Sequence, residues 1–383
     1  MIIDVIDYPT LRVIWWGLVG VLLIGFTIMD GHDMGVGTLL PFVGKTDIDR
    51  RVIINTIAPH WDGNQVWFIT AGGAIFAAWP FVYATAFSGF YWAMMIVLWA
   101  LFCRPVGFDY RSKINNPTWR SIWDWALFTG GFVPPVIFGV AFGNLLLGVP
   151  FHFDANLVST YEGSFFALLN PFALLCGLIS SAMVTMHGGV YLMHRTEGEI
   201  QARTQKWVMV LGALVLVMFS AAGLWVAFGI DGYRITSVIN PSGASDPLTK
   251  TVIRETGAWL HNYVQWPILI AAPVLAYVGF IAALACIRGG KTLMAFVMSS
   301  IGLACVITTA GVSMFPFILP SSSDLKSSLT VWDSSSSHLT LFVMLIAAAI
   351  FVPIILIYTS WAYSVMRGKV TAAYIRENNH STY

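Results

Sequence analysis

The sequence predicts an all-α polytopic membrane protein with about nine transmembrane helices. Two observations carry that expectation. Across 383 residues, 57% are hydrophobic and only 10% charged, with a mean hydropathy of +0.75, whereas an ordinary soluble domain is about one-quarter charged. The apolar residues also gather into nine runs of roughly the length a bilayer demands, about 20 residues each.

The first run, near 11–37, carries Trp15-Trp16 and ends in Asp30-Gly31-His32-Asp33 and the residues after it. No small-residue cleavage pattern follows Met29, so this run is expected to stay as the first span. The second and third, near 58–78 and 81–103, are joined only by Trp79-Pro80, where proline breaks the helix and the chain turns back. The fourth, near 122–147, contains Pro134-Pro135, which removes two backbone donors and predicts a kink. The remaining runs lie near 165–187, 207–228, 262–287, 293–315 and 339–363. Serine clusters at Ser321-Ser322-Ser323 and from Ser334 to Ser337 flank a loop and mark no separate domain.

Lysine and arginine placement sets the orientation. One set of loops and the C-terminal tail hold Lys45, Arg50, Arg51, Arg104, Arg111, Lys113, Arg120, Arg195, Arg203, Lys206, Arg288, Lys291, Arg367, Lys369 and Arg376. The other side holds only Arg12, Arg234, Lys250, Arg254 and Lys326. This bias predicts a periplasmic N-terminus, a cytoplasmic C-terminus and an odd number of spans. The longest loops, near 229–261 and 316–338, are then external.

Function is concentrated in the stretch Ala58-Pro59-His60-Trp61-Asp62-Gly63-Asn64-Gln65-Val66-Trp67. On a helix at about 100° per residue, His60, Asn64 and Trp67 share one side, while Asp62 and Gln65 fall on the other. Lipid satisfies neither face, so both must meet protein or water, and an ionisable group there is a functional candidate. The same string also reads as a plain helix start, with Pro59 in its first turn and Asp62 near its positive end. The topology brings this stretch to the side where the first span ends in Asp30 and Asp33. Those two aspartates share a helix face, and Gly31 and Gly35 form a small-xxx-small seam for a neighbouring helix. They also read as ordinary residues marking a helix end at the headgroups.

Other polar residues in apolar surroundings, including Asn144, Thr185, His187, Thr308, Thr309 and Ser313, fit helix-helix hydrogen bonds. Trp15, Trp16, Trp123, Trp125 and Trp361 lie near span ends, as an aromatic belt does. The cysteines Cys103, Cys176, Cys286 and Cys305 stand singly and read as packing residues. A net charge of +1 gives no case for a nucleic-acid partner. A haem-binding span needs histidine, or histidine with methionine, projecting into a bundle; only His187 is placed within a span. No phosphate-binding loop, zinc spacing or metalloprotease motif is present, so the chain alone does not read as a complete enzyme. A proton-coupled multipass transporter is the alternative class, because it too uses acids at membrane depth. No internal repeat with matching broken helices supports it. A self-sufficient quinone-binding enzyme lacks any redox cofactor site.

Six segments, in order, resemble subunit II of the cytochrome bd ubiquinol oxidases: Trp15-Trp16; Asp30-Gly31-His32-Asp33-Met34-Gly35-Val36-Gly37; Ala58 to Trp67; Arg104-Pro105-Val106-Gly107-Phe108-Asp109-Tyr110-Arg111; Met314-Phe315-Pro316-Phe317; and Leu329-Thr330-Val331-Trp332-Asp333. The likeness covers essentially the whole chain. His32 departs from it, standing where an aromatic residue is expected, a change read as affecting only local packing. The resemblance implies a bacterial inner-membrane respiratory oxidase whose larger subunit I carries two haems b and one haem d, oxidises quinol and reduces oxygen to water. It implies that this chain is a non-haem partner built as two four-helix bundles plus one peripheral helix. The bundles are expected at approximately 1–150 and 160–320, the last helix at 339–363 and a cytoplasmic tail at 364–383, all within one integral membrane domain. A structural quinone and small single-helix accessory subunits are further expectations, with no covalently bound cofactor. The resemblance also implies a proton route that includes Asp62 and Tyr383, with Asp30, Asp33 and His60 as further candidates, and places Trp67 near an oxygen access path.

Overall fold

The computed structural model describes residues 5–378, 382 and 383. Asp7 accepts a hydrogen bond from the Thr10 N–H and starts α1 (Tyr8–Val43), with Pro9 in the first turn where a missing N–H costs nothing. At about 1.5 Å per residue α1 is roughly 54 Å long, well beyond a hydrocarbon core of about 30 Å. A short α2 (Asp47–Asn55) follows, then α3 (Trp61–Ala78), α4 (Pro80–Gly89), α5 (Tyr91–Tyr110) and α6 (Pro117–Leu147). The hairpin β1 (Phe151–Phe153) with β2 (Ser159–Tyr161) leads to α7 (Pro171–Arg195) and α8 (Gly198–Phe228). A second hairpin, β3 (Asp231–Ile235) with β4 (Val252–Thr256), precedes α9 (His261–Gln265), α10 (Ala271–Arg288) and α11 (Thr292–Met314). The third, β5 (Phe317–Leu319) with β6 (Leu329–Thr330), precedes α12 (His338–Val365) and α13 (Ala372–Glu377).

Among the described residues, eight helices are long and apolar enough to cross a membrane: α1, α5, α6, α7, α8, α10 with its preceding 3-10 turn, α11 and α12. The eighteen-residue α3, which the sequence reading counts as a span, is not among them. Its first turns carry Asp62, Asn64 and Gln65, which lower its apolar character, yet it runs antiparallel along α1 from Asp33 to Trp15. The sequence placed the third span at 81–103, and here the structure differs. Pro80 opens a separate short helix, α4, which ends at Gly89 and packs beside the β1–β2 hairpin; the crossing helix is α5, ten residues further on. The hairpins themselves carry no alternating pattern long enough to announce them.

Two four-helix groups result, α1 with α3, α5 and α6, and α7 with α8, α10 and α11. They meet where α7 lies against both α6 and α1. Gly35 and Gly188 make the approach of α1, since a Cβ on Gly188 would sit 2.6 Å from the Gly35 backbone. α12 is peripheral, with only Leu341 buried. At the hairpin end, Arg12 reaches out of α1 to the Ser335 hydroxyl at 2.7 Å and the Pro241 carbonyl at 2.5 Å, and Lys250 pairs with Asp333 at 2.8 Å. Trp15 is not part of an aromatic belt. It is buried and donates to the Leu341 carbonyl, because α12 covers it, whereas Trp125 and Trp361 remain exposed. The opposite end carries α2, α13 and the buried pair Arg111 and Asp124 at 2.6 Å.

Candidate functional site

α1 presents three polar side chains near the α2 end, all essentially inaccessible to solvent: Asp30, His32 and Asp33. A buried carboxylate needs a partner or a proton. Asp30 has its partner in Arg104, which reaches from α5 and donates two hydrogen bonds, at 3.0 and 2.6 Å. This is the parallel fork geometry that suits guanidinium to carboxylate. The guanidinium also lies over the Trp61 ring at 5.4 Å, so the first residue of α3 closes the pair from above. Cys176 and the other cysteines stand apart from this cluster as free thiols.

Asp33 is treated differently. Its Oδ2 accepts from Asn64 at 2.7 Å, while Oδ1 faces two imidazoles, His32 Nε2 at 3.3 Å and His60 Nδ1 at 3.6 Å. His60 occupies the bend just before α3, and its other nitrogen meets the Thr56 carbonyl at 3.1 Å and the Tyr191 hydroxyl of α7 at 2.9 Å. Tyr363 of α12 completes the chamber, its hydroxyl 3.3 Å from both His32 and His60 and in contact with Asn64. The cluster therefore joins α1, the α3 entrance, α7 and α12. His187, behind His32, is spent on Ser299 at 2.7 Å and on the Ile28 carbonyl, a helix-helix tie as the sequence suggested.

Of the sequence candidates, Asp33 and His60 come together, and Asp30 lies alongside in its own ion pair. Asp62 does not join them. Within α3 the helical reading holds for Asn64, which is buried, and Asp62, exposed on the opposite side, whereas Pro59 and His60 lie in the turn before the helix rather than on it. Asp62 therefore heads a stripe with Val66, Ile69, Gly73 and Phe76 that is exposed among the described residues. Tyr383 docks on α2, donating from its N–H to Asn55 at 3.1 Å and accepting from Asn55 and Arg51. Trp67 packs its indole on Gly25 of α1. His32, read as a local packing change, instead lies inside α1 at the centre of the cluster. Arg104, counted with the loop charges, is a buried helical residue. Tyr191 and Tyr363 were not anticipated; a lone tyrosine in an apolar helix carries no distinguishing pattern.

The fold and the buried site define a polytopic helical membrane protein in which Asp30, His32, Asp33 and His60 are turned inward while α3 presents Asp62 at the head of an exposed stripe. The chain belongs to the family described as cytochrome bd terminal oxidase subunit II, whose profile it matches over residues 11–366. It is 56% identical over 378 residues to cytochrome bd-I ubiquinol oxidase subunit 2 of Escherichia coli (strain K12), spanning 99% of this chain and 100% of that one. It is 55% identical, with the same coverage, to a probable cytochrome oxidase subunit 2 of Haemophilus influenzae. It is 34% identical over 365 residues to cytochrome bd ubiquinol oxidase subunit 2 of Bacillus subtilis (strain 168), covering 94% and 97%. A chain of the bd oxidase structure from Geobacillus thermodenitrificans shares the fold, with a TM-score of 0.62 at 15% identity, over 94% of this chain and 98% of that one. Family membership sets aside the transporter reading.

Proposed function

We propose that this chain is the non-haem subunit II of a bd-type oxidase of the bacterial inner membrane, acting in aerobic respiration with a haem-bearing subunit I. The observation that carries this is the 56% identity to a ubiquinol oxidase subunit 2 along 99% of the chain. In this reading subunit I holds two haems b and one haem d, which supply the electron transfer from quinol to oxygen. The present chain supports assembly and delivers protons. A structural quinone and single-helix accessory subunits belong to the same proposal, as do a periplasmic hairpin end and a cytoplasmic α2 end, which the charge bias favours.

The proton contribution rests on Asp62. A carboxylate heading an open stripe on a transmembrane helix cannot face lipid at low cost. Subunit I laid along α3 covers it and becomes its acceptor. Asp30 is fixed by Arg104, and Asp33 and His60 turn inward, away from that face, so the route proposed here enters at Asp62. Tyr383, held on α2 by Asn55 and Arg51, belongs to the same proposed route. Trp67 stays beside α1, where the family likeness places an oxygen path.

The test is Asp62→Asn in the complete oxidase. The amide keeps shape and hydrogen bonding but carries no exchangeable acidic proton. An assembled complex with a normal visible haem spectrum and quinol-driven oxygen uptake slowed about tenfold is the expected result, with the proton-coupled step slowed in single turnover. Unchanged turnover rejects the route; loss of the assembled complex assigns Asp62 to subunit contact instead.

A further inference from the structure

The inner cluster has more lone pairs than hydrogens. His32 Nδ1 lies 3.0 Å from the Ile28 carbonyl, and a carbonyl only accepts, so Nδ1 carries the ring proton and Nε2 is bare. His60 Nε2 lies 2.9 Å from the Tyr191 hydroxyl and 3.1 Å from the Thr56 carbonyl; with that hydroxyl donating to the same carbonyl at 3.3 Å, Nε2 carries the ring proton and Nδ1 is bare. Both bare nitrogens face Asp33 Oδ1, which is buried and accepts no hydrogen bond. Two donors are within reach. The Asn64 amide has short contacts to Asp33 Oδ2 and the Tyr363 hydroxyl, both at 2.7 Å, and a longer one to His60 Nδ1 at 3.3 Å. Its two hydrogens go to the short pair. The single Tyr363 hydrogen has the Asn64 carbonyl at 3.1 Å and two imidazoles at 3.3 Å to choose from. Two nitrogens and a carboxylate oxygen therefore converge with at most one hydrogen among them. Such a group is repulsive unless a proton or a metal cation sits between its members.

We propose that His32 Nε2, Asp33 Oδ1 and His60 Nδ1 bind one divalent transition-metal ion of the zinc class, with the Tyr363 oxygen in the fourth position. A tetrahedral site with bonds of about 2.0–2.1 Å holds its ligands about 3.3–3.4 Å apart. The edges here are 3.3 Å from His32 to Asp33, 3.6 Å from His60 to Asp33, and 3.3 Å from Tyr363 to each imidazole. The three donor atoms of His32, Asp33 and His60 lie within 4.8 Å of one another, so the imidazoles turn inward to close the site. Two imidazoles and one carboxylate select zinc-like ions over calcium or magnesium, which take oxygen ligands. The outer partners that orient ligands are already present: the Ile28 and Thr56 carbonyls behind the imidazoles and the Asn64 amide on the free carboxylate oxygen. Charge agrees as well, because Arg104 is engaged through two short hydrogen bonds to Asp30 and reaches Asp33 only at 4.0 Å, on Oδ2, leaving Oδ1 without a cation. The ion joins α1 to the α3 entrance and, through Tyr363, to the peripheral α12. This site is separate from Asp62 and stands whether or not Asp62 moves protons.

The test uses the complete oxidase, stripped with a membrane-permeant chelator and then titrated with zinc chloride, with metal counted against haem iron by mass spectrometry. Saturable uptake of one zinc per complex is expected. It should be lost in His32→Phe, which keeps a ring without a ligand, and in His32→Gln should that complex fail to assemble. Zinc-edge X-ray absorption of the loaded native complex, which needs no variant, should show two imidazoles in the first coordination sphere. No uptake by the native complex overturns the proposal and leaves a proton as the only occupant. Equal uptake by the assembled His32 variant, or a spectrum without imidazole, places the zinc elsewhere and overturns it equally.

Discussion

Arg104 and Asp30 show what a buried ion pair does in this chain. Each is nearly inaccessible, and neither has an alternative partner of comparable geometry. Breaking such a pair from one side strands the other charge and costs about 3–5 kcal/mol. Arg104→Met should therefore lower the thermal midpoint of the complex or abolish its assembly. Arg104→Met combined with Asp30→Leu should recover much of that loss, because two apolar residues leave no stranded charge; a double variant no better than the single one would argue against the pair. The sequence showed half of this arrangement. Asp30, Asp33 and His60 stood out because acids and imidazoles are rare in apolar runs, and the helical period put Asn64 with His60 and Asp62 opposite. Arg104 escaped because its partner lies 74 residues away, and Tyr363 because its neighbours lie about 300 residues away. Nothing in local periodicity encodes which distant helix supplies the counter-charge.

Elements at the α2 end are held by ordinary capping chemistry outside the membrane. Thr46 caps α2 by accepting from the Asp49 N–H at 3.2 Å, and the Asp49 carboxylate returns the bond to the Thr46 N–H, a capping box. Arg203 of α8 donates to the same carboxylate at 2.9 Å and to the Val43 carbonyl at 2.7 Å, tying α8 to the α1–α2 junction. Burial pushes the Asp49 carboxyl up, but the hydrogen bonds from Arg203, Thr46 and Lys45 outweigh it and hold the group below its usual range. A carboxyl depressed on folding contributes stability above its unfolded value, about 4, and loses it as pH falls through the lower folded value. Asp49→Asn should thus lower the thermal midpoint at pH 7, and the difference from the native complex should shrink as pH drops below about 4. A difference independent of pH would remove the charge from this account. Thr46→Ala should cost about 1 kcal/mol through the lost cap, measurable by chemical denaturation. The sequence located the spans by hydropathy but misplaced the third, because Phe81 to Phe90 is apolar enough to join a span and only the three-dimensional path shows α4 lying beside the hairpins.

The whole molecule is organised around α1, which packs against α3, α6, α7 and α11 and carries both the outer clasp at Arg12 and the inner cluster at Asp33. Its contact with α7 depends on glycine, so Gly188→Val should push α1 off α7 while α6 still packs on α7, at a cost above the roughly 1–3 kcal/mol of an overpacked core. Loss of α1–α7 contact should appear as loss of the assembled oxidase, whereas Gly223→Ala, with open space around it, should assemble normally. Orientation follows from the same architecture. The Gly243 carbonyl is held by Arg12 at the hairpin end, while Gly290 lies in the turn between α10 and α11, at the other end of the helices. With fifteen of the twenty lysines and arginines assigned to the α2 side, insertion should leave that side in the cytoplasm. A phosphatase fused after Gly243 should then be active and a fluorescent protein fused there dark, with the reverse at Gly290. Both fusions reporting the same compartment would contradict the helix path itself. A clean reversal would keep the path and overturn only the charge argument, moving Asp62 and the inner cluster to the outer face of the membrane.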